Sequence, residues 1–301
     1  MIVKSSCHNL KLWYDYYMAR TTKPSSSEYD FDIHQEPLLT TDGKRTGYFG
    51  MVRRDTAEPI TLGVCTEQYG VVKNADMVSM VEESLTNQGL GEYTRKAIVV
   101  RDGARFYASY DFPEFKTQLK PVGKRAKGDI LGLRLTANNS YDRSCRVSFS
   151  LGFIRLVCTN GMTSLSKEFG FTKRHTLAVN LDFVGDALKN ALANVDKSAN
   201  VFNRLAEKAI TDEQGLTLLT KLEEKDYISG KVRQGIEAVW RNPSYELDTD
   251  RNLYNLYNAT TQFLTRNVAE ERYEYSERVS RDLLKVFSRA TRDEDLLKLV
   301  S

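Results

Sequence analysis

Residues 129–158 constrain the chain most: they read as two long β-strands joined by Asn138-Asn139-Ser140-Tyr141-Asp142-Arg143. In the first strand Leu131, Leu133, Leu135 and Ala137 point one way, with Arg134 and Thr136 the other. In the second, Cys145, Val147, Phe149, Leu151 and Phe153 share a face opposite Arg146, Ser148 and Ser150. A period of two sets one face on a core and leaves the other wet. The wet face is hydroxyl-rich and basic, with no carboxylate until Asp142 in the turn. Such a face suits a phosphate backbone, and it also suits a plain solvated sheet.

The charge distribution bears on that choice. The whole chain of 301 residues carries a net +3, but residues 91–175 hold 16 Lys+Arg against 7 Asp+Glu, a net of +9. The flanking segments 1–90 (9 against 12) and 176–301 (18 against 21) are each −3. Positive charge collected on one module points to an acidic partner, of which nucleic acid is the commonest. No run approaches the roughly 18–20 apolar residues of a membrane span, and the N-terminus has no apolar signal core. The four cysteines, Cys7, Cys65, Cys145 and Cys158, are scattered without a CxxC pair. They read as reduced buried thiols of a cytoplasmic protein without structural zinc.

Residues 1–60 give no clear element. Trp13, Tyr14, Tyr16 and Tyr17 precede a polar stretch at 21–27, and serve either as a base-stacking surface or as the edge of a core. A strand is expected at Ile60–Val64, then a helix from Asn74 or Asp76 to about Asn87. Asp102-Gly103 predicts a tight type I′ turn between strands Ala97–Arg101 and Ala104–Phe112. Residues 113–128 interrupt the sheet as a mobile loop with five cations, Lys116, Lys120, Lys124, Arg125 and Lys127, against Glu114. After Cys158 the spacing turns helical: one long amphipathic helix over about 183–209, shorter ones at 212–224 and 229–241, and a last, bent one over about 250–288. The segment 269–281, almost all charge and tyrosine, faces water or a partner subunit.

Several chemistries leave no trace. There is no phosphate-loop motif, no H-E-x-x-H or Cys/His metal set, and no G-x-S-x-G elbow. The histidines His8, His34 and His175 stand far apart. A nuclease built from Asp111, Asp129 and Asp142 is the one enzymatic alternative, since nucleases hold metals with clustered carboxylates.

Five segments, in order, resemble a family of phage and plasmid proteins catalogued as domain of unknown function 932. They are Tyr69-Gly70-Val71-Val72-Lys73-Asn74, Gly103-Ala104-Arg105-Phe106, Asn139-Ser140-Tyr141-Asp142-Arg143-Ser144, Arg155-Leu156-Val157-Cys158-Thr159-Asn160 and Tyr257-Asn258-Ala259-Thr260-Thr261-Gln262-Phe263-Leu264. The resemblance covers about residues 60–290. Where the family has Gly, this chain has Arg143. The layout of two hairpins followed by a long helix is similar to phage single-strand annealing proteins of the Erf and Red-beta kind. That likeness implies a ring or filament holding single strands in a basic groove.

The expectation is an α+β fold: an antiparallel β-sheet with packed helices, followed by a mainly helical C-terminal region. Its parts would be an N-terminal extension (1–60), a basic sheet module (60–180) and a helical region (181–301). The expected function is non-catalytic binding and annealing of single-stranded DNA in phage recombination or replication. Arg134, Arg143 and Arg146 would meet phosphates, Tyr141 would stack on a base, and Lys116, Lys120, Lys124, Arg125 and Lys127 would close over the strand. Catalytic residues, metal and cofactor are expected to be absent, and a homo-oligomer is expected. The rival is a phage host-takeover or anti-defence protein that binds a host protein. No membrane partner is expected.

Overall fold

The computed structural model describes residues 28–90, 92–124, 129–155, 161–162, 170–176, 195–268 and 272–292, with 185, 186, 189 and 193. The expected segments at 10–17 and 21–27 lie outside these, as do the start of the helix expected at 183 and most of the Arg155–Asn160 segment. The described strands are β1 (Ile33–Leu39), β2 (Arg45–Arg53), β3 (Ile60–Thr66), β4 (Thr94–Val100), β5 (Arg105–Gln118), β6 (Ile130–Ser140), β7 (Val147–Arg155), β8 (Gly161–Met162) and β9 (Gly170–Lys173). The helices are α1 (Asn74–Asn87), α2 (Val195–Glu207), α3 (Asp212–Glu224), α4 (Gly230–Arg241), α5 (Leu253–Asn267) and α6 (Tyr273–Ala290). Antiparallel sheets come first and helices dominate the C-terminal half, so the fold is α+β.

Two sheets form. One has the order β1-β2-β3; the other has the order β4-β5-β6-β7-β8, with β9 also pairing β7. The chain divides into two compact units. Unit one comprises 1–114, 134–151 and 170–190; unit two comprises 115–133, 152–169 and 191–301. The expected boundaries at 60 and 180 do not coincide with this division, which falls inside β5, β6 and β7.

In unit one the core gathers Phe31, Ile33, Met51, Leu62, Cys65, Tyr69, Ala104 and Tyr141. Helix α1 buries Met77, Val78, Val81 and Leu85 along one stripe. In unit two the core is built from helices. Thr211 and Gln214 form a reciprocal capping box at the start of α3, and Asn252 Oδ1 accepts the Asn255 N–H at the start of α5. Helix α5 is buried along nearly its whole length. Phe153, Phe202, Tyr254, Tyr257 and Phe287 form a chain of rings with centroids 5.7–6.3 Å apart. At Gly235 on α4, a β-carbon would overlap the Phe263 ring of α5, so the bare backbone sets how closely these helices approach.

Four expectations need correction. Strands β1 and β2 lie before residue 60, where the sequence showed no element. The Asp102-Gly103 turn is not a two-residue hairpin loop: Arg101–Gly103 form a 3-10 turn with φ of 56°, 58° and 111°. Residues 113–118 continue β5 rather than leaving the sheet. The last helix is two: α5 ends at Asn267, where Val268 turns to an extended backbone (φ −103°, ψ 128°), and α6 starts at Tyr273.

Candidate nucleic-acid interface

The β6–β7 turn of unit one is the meeting point of three of the five resemblance segments. Tyr69 donates its hydroxyl to the Ser140 carbonyl (2.7 Å). Asn139 Nδ2 donates to Val72 O and to Asn74 Oδ1, both at 2.8 Å. Tyr141 Oη accepts the Asn74 N–H (3.0 Å), and so caps α1 from another element, because Lys73 supplies no side-chain cap. Tyr141 N–H donates to Ala104 O (2.8 Å). From β3, Gly63 approaches so closely that a β-carbon there would stand 2.6 Å from Asp142 Cα and 2.9 Å from Tyr141 O. Only glycine fits that position. Burial pushes the Tyr69 and Tyr141 phenols up, so both remain neutral donors and acceptors.

Around this turn stand arginines. Asp142 Oδ2 lies 3.4 Å from Arg101 Nη1 and 3.6 Å from Arg105 Nε, while its Oδ1 accepts from the Ser144 N–H (2.9 Å) and hydroxyl. Arg53 forms a two-pronged pair with Asp55 (2.7 and 2.9 Å) and donates to Asp102 O (2.9 Å), lying 4.1 Å over the Phe31 ring. Arg101 keeps 60% of its side chain exposed, and Arg143 and Arg146 are also exposed. Arg101 and Arg143 both have left-handed backbones, with φ of 56° and 64°. Arg143 thus holds the conformation glycine takes most readily, at the position where the resembled family has glycine. Three exposed guanidiniums at one end of the unit can hold phosphate oxygens in bidentate fashion.

The expected site residues divide between the units. Arg143 and Arg146 belong to this turn. Arg134 does not face water as expected: it makes a two-pronged pair with the buried Asp111 (2.5 and 2.7 Å). Beside it Thr136 and Ser150 share a hydrogen bond of 2.6 Å, and Asn138 donates to Ser148 Oγ (3.1 Å), so the half-buried polar face is internally bonded. Tyr141 is 2% exposed and offers no ring to a base; the expectation that it stacks is corrected. Lys116, Lys120 and Lys124 belong to unit two. Lys116 is exposed. Lys120 donates its backbone N–H to Asn203 Oδ1 (2.8 Å), and its Nζ stands 3.8 Å from Glu207. Lys124 donates its N–H to Asp250 (2.7 Å) and its ammonium to Thr249 Oγ1 (2.8 Å). The Leu119 N–H bonds the Asp129 carbonyl (2.8 Å), so residues 119–124 are anchored rather than a mobile loop. Arg125 and Lys127 lie outside the described residues.

Each carboxylate considered for a nuclease faces a cation. Asp111 pairs with Arg134 and Asp142 with Arg101 and Arg105 in unit one. In unit two, Asp129 Oδ2 takes Arg155 Nε (2.5 Å) and the Tyr254 hydroxyl (3.1 Å). Arg155, wholly buried, also donates to Asp248 (2.8 Å). Among the described residues no three His, Cys, Asp or Glu gather as a metal site, and no helix is long and apolar enough to cross a membrane. Arg53, Arg101 and Arg105 were missed by the sequence reading. Arg101 had a signal, since it flanks the Asp-Gly turn; Arg53 had none, since its partner at Asp102 lies 49 residues away.

The family model described as domain of unknown function (DUF932) matches residues 61–297. No curated protein and no solved structure matches the chain.

Proposed function

The chain belongs to the DUF932 family, and we propose that it binds single-stranded DNA without catalysing a reaction, as an annealing or strand-protecting protein of a phage or plasmid. The supporting observation is the exposed trio Arg101, Arg143 and Arg146 at the β4–β5 and β6–β7 turns, two of them in a conformation that costs an arginine stability. Strained non-glycine residues collect where a side chain has work to do that a relaxed backbone cannot present. The concentration of +9 on residues 91–175 supplies the long-range attraction.

The test is fluorescence anisotropy of a labelled oligonucleotide across a salt series. The wild type should bind, with affinity falling as salt rises. Replacing Arg101, Arg143 and Arg146 together by Ala should make the log–log salt slope shallower by about 2, at roughly 0.7 per lost phosphate contact. No binding of any single strand at low salt would overturn the reading.

A second reading, binding of a host protein, is favoured by the outer face of the three-stranded sheet. Tyr48 and Val64 are 52% and 45% exposed and share that face with Gly50 by register. A capture that survives nuclease treatment would favour it over the DNA reading.

A further inference from the structure

In unit two, the turn at Gly123–Lys124 has the parts of an anion seat. Gly123 has φ of +52°, and a β-carbon on it would overlap the Asp250 carboxylate. The bare glycine therefore lets a negatively charged group come against the backbone. The Lys124 N–H points at that carboxylate (2.7 Å), and the Lys124 ammonium is parked 2.8 Å from Thr249 Oγ1. The strand of chain that leads into the seat is held: Leu119 N–H donates to Asp129 O and Lys120 N–H to Asn203 Oδ1. The occupant is fixed too. Thr249 Oγ1 donates to Glu246 O (2.7 Å), Asp250 O accepts from Asn255 Nδ2 (2.7 Å), and Arg251 is held by Asp212 (2.7 Å) and by Trp240 O (2.9 Å). A backbone donor, an ammonium and a glycine without a β-carbon are the groups that cradle a phosphate.

We propose that the Gly123–Lys124 turn is a phosphate seat which the chain's own Asp250 carboxylate fills in the free protein, so that Asp250 competes with an incoming phosphate. With DNA as the source of that phosphate, the proposal rests on the single-strand reading above; with inorganic phosphate it does not. A carboxylate in a charge-assisted bond is a stronger competitor than a neutral amide of the same shape. Asp250→Asn keeps the shape and removes the charge.

The experiment compares three proteins: wild type, Asp250→Asn, and Glu213→Gln, which makes the same charge change on an exposed position of α3. Asp250→Asn should bind single-stranded DNA about tenfold tighter than wild type, the scale of losing one charged competitor. Glu213→Gln should show little gain. Adding Lys124→Ala to Asp250→Asn should abolish the gain. An Asp250→Asn affinity equal to or below that of Glu213→Gln overturns the proposal. If no variant binds DNA, the single-strand reading fails, and the seat is judged on inorganic phosphate alone. The Lys124 amide resonance of Asp250→Asn should then shift and saturate with millimolar phosphate, while that of wild type stays in place; no shift in the variant overturns the seat. Asp250→Ser makes the same comparison should the Asn variant fail to fold.

Discussion

Arg143 shows what one residue can cost and supply. A left-handed backbone costs a residue with a β-carbon about 1–2 kcal/mol relative to its ordinary conformations, and glycine avoids that cost. Arg143→Gly should therefore stabilise the protein by about 1 kcal/mol, or raise Tm by roughly 2–4 °C. It should weaken binding of single-stranded DNA at the same time. Denaturation and anisotropy on the same variant check this; a destabilised variant would mean that the guanidinium is a structural group. His175 gives a second residue-scale prediction. It stacks on Tyr69 with centroids 4.7 Å apart, and its Nδ1 lies 3.2 Å from Gly70 O. Burial lowers its pKa below the usual 6.5. The unfolded chain then takes up the proton first, so stability is whole above about pH 6.5 and falls as pH drops from there towards the folded-state value. His175→Phe keeps a stacking ring without the titration and should flatten Tm between pH 7.5 and 5.5. Tyr141 marks the limit of reading residues from sequence. Its surroundings come from Asn74, 67 residues away, and from Ala104, so no local pattern shows that a tyrosine in a polar turn is buried.

Among elements, legibility followed locality. Helix α3 is set by its own capping box, and α1 and α4 by apolar stripes that lie within a dozen residues; their expected spans agree closely with those seen. Strands β6 and β7 were likewise plain from alternation. The reading failed where a distant partner decides the outcome. Residues 113–118 contain proline and charge, yet they continue β5. Residues 119–124 carry glycine and lysine, yet Asn203, Thr249 and Asp250 hold them. The Arg155 cluster is the strongest such long-range device, joining the end of β7 to the segments before β6 and α5. Removing one member of a buried ion cluster leaves unpaired charge in the interior and costs about 3–5 kcal/mol. Arg155→Leu, which removes the guanidinium that faces both Asp129 and Asp248, should lower the urea midpoint sharply or leave no folded protein. A loss below 1 kcal/mol would show that the cluster contributes little. At the α4–α5 contact, Gly235→Ala should cost about 1–3 kcal/mol by overpacking against Phe263, measured by the same unfolding curve.

At the scale of the whole molecule, an annealing protein needs copies of itself along the strand, so the proposed function carries an expectation of a homo-oligomer larger than a dimer. Light scattering at micromolar concentration, with and without oligonucleotide, checks it; a monomeric mass in both states counts against annealing and leaves simple strand binding. The two units also place a demand on how the chain is made. Read from the N-terminus, the polypeptide passes between them five times, at 114/115, 133/134, 151/152, 169/170 and 190/191. Neither unit is a contiguous stretch of the gene. A reading frame stopped at residue 160 lacks β9 from unit one and every described α-helix of unit two. Nonsense alleles should therefore behave as complete losses rather than as separable halves, and domain-by-domain expression should yield insoluble fragments. Dissecting this protein calls for point substitutions in the intact chain, because its working parts are interleaved in the order in which the ribosome delivers them.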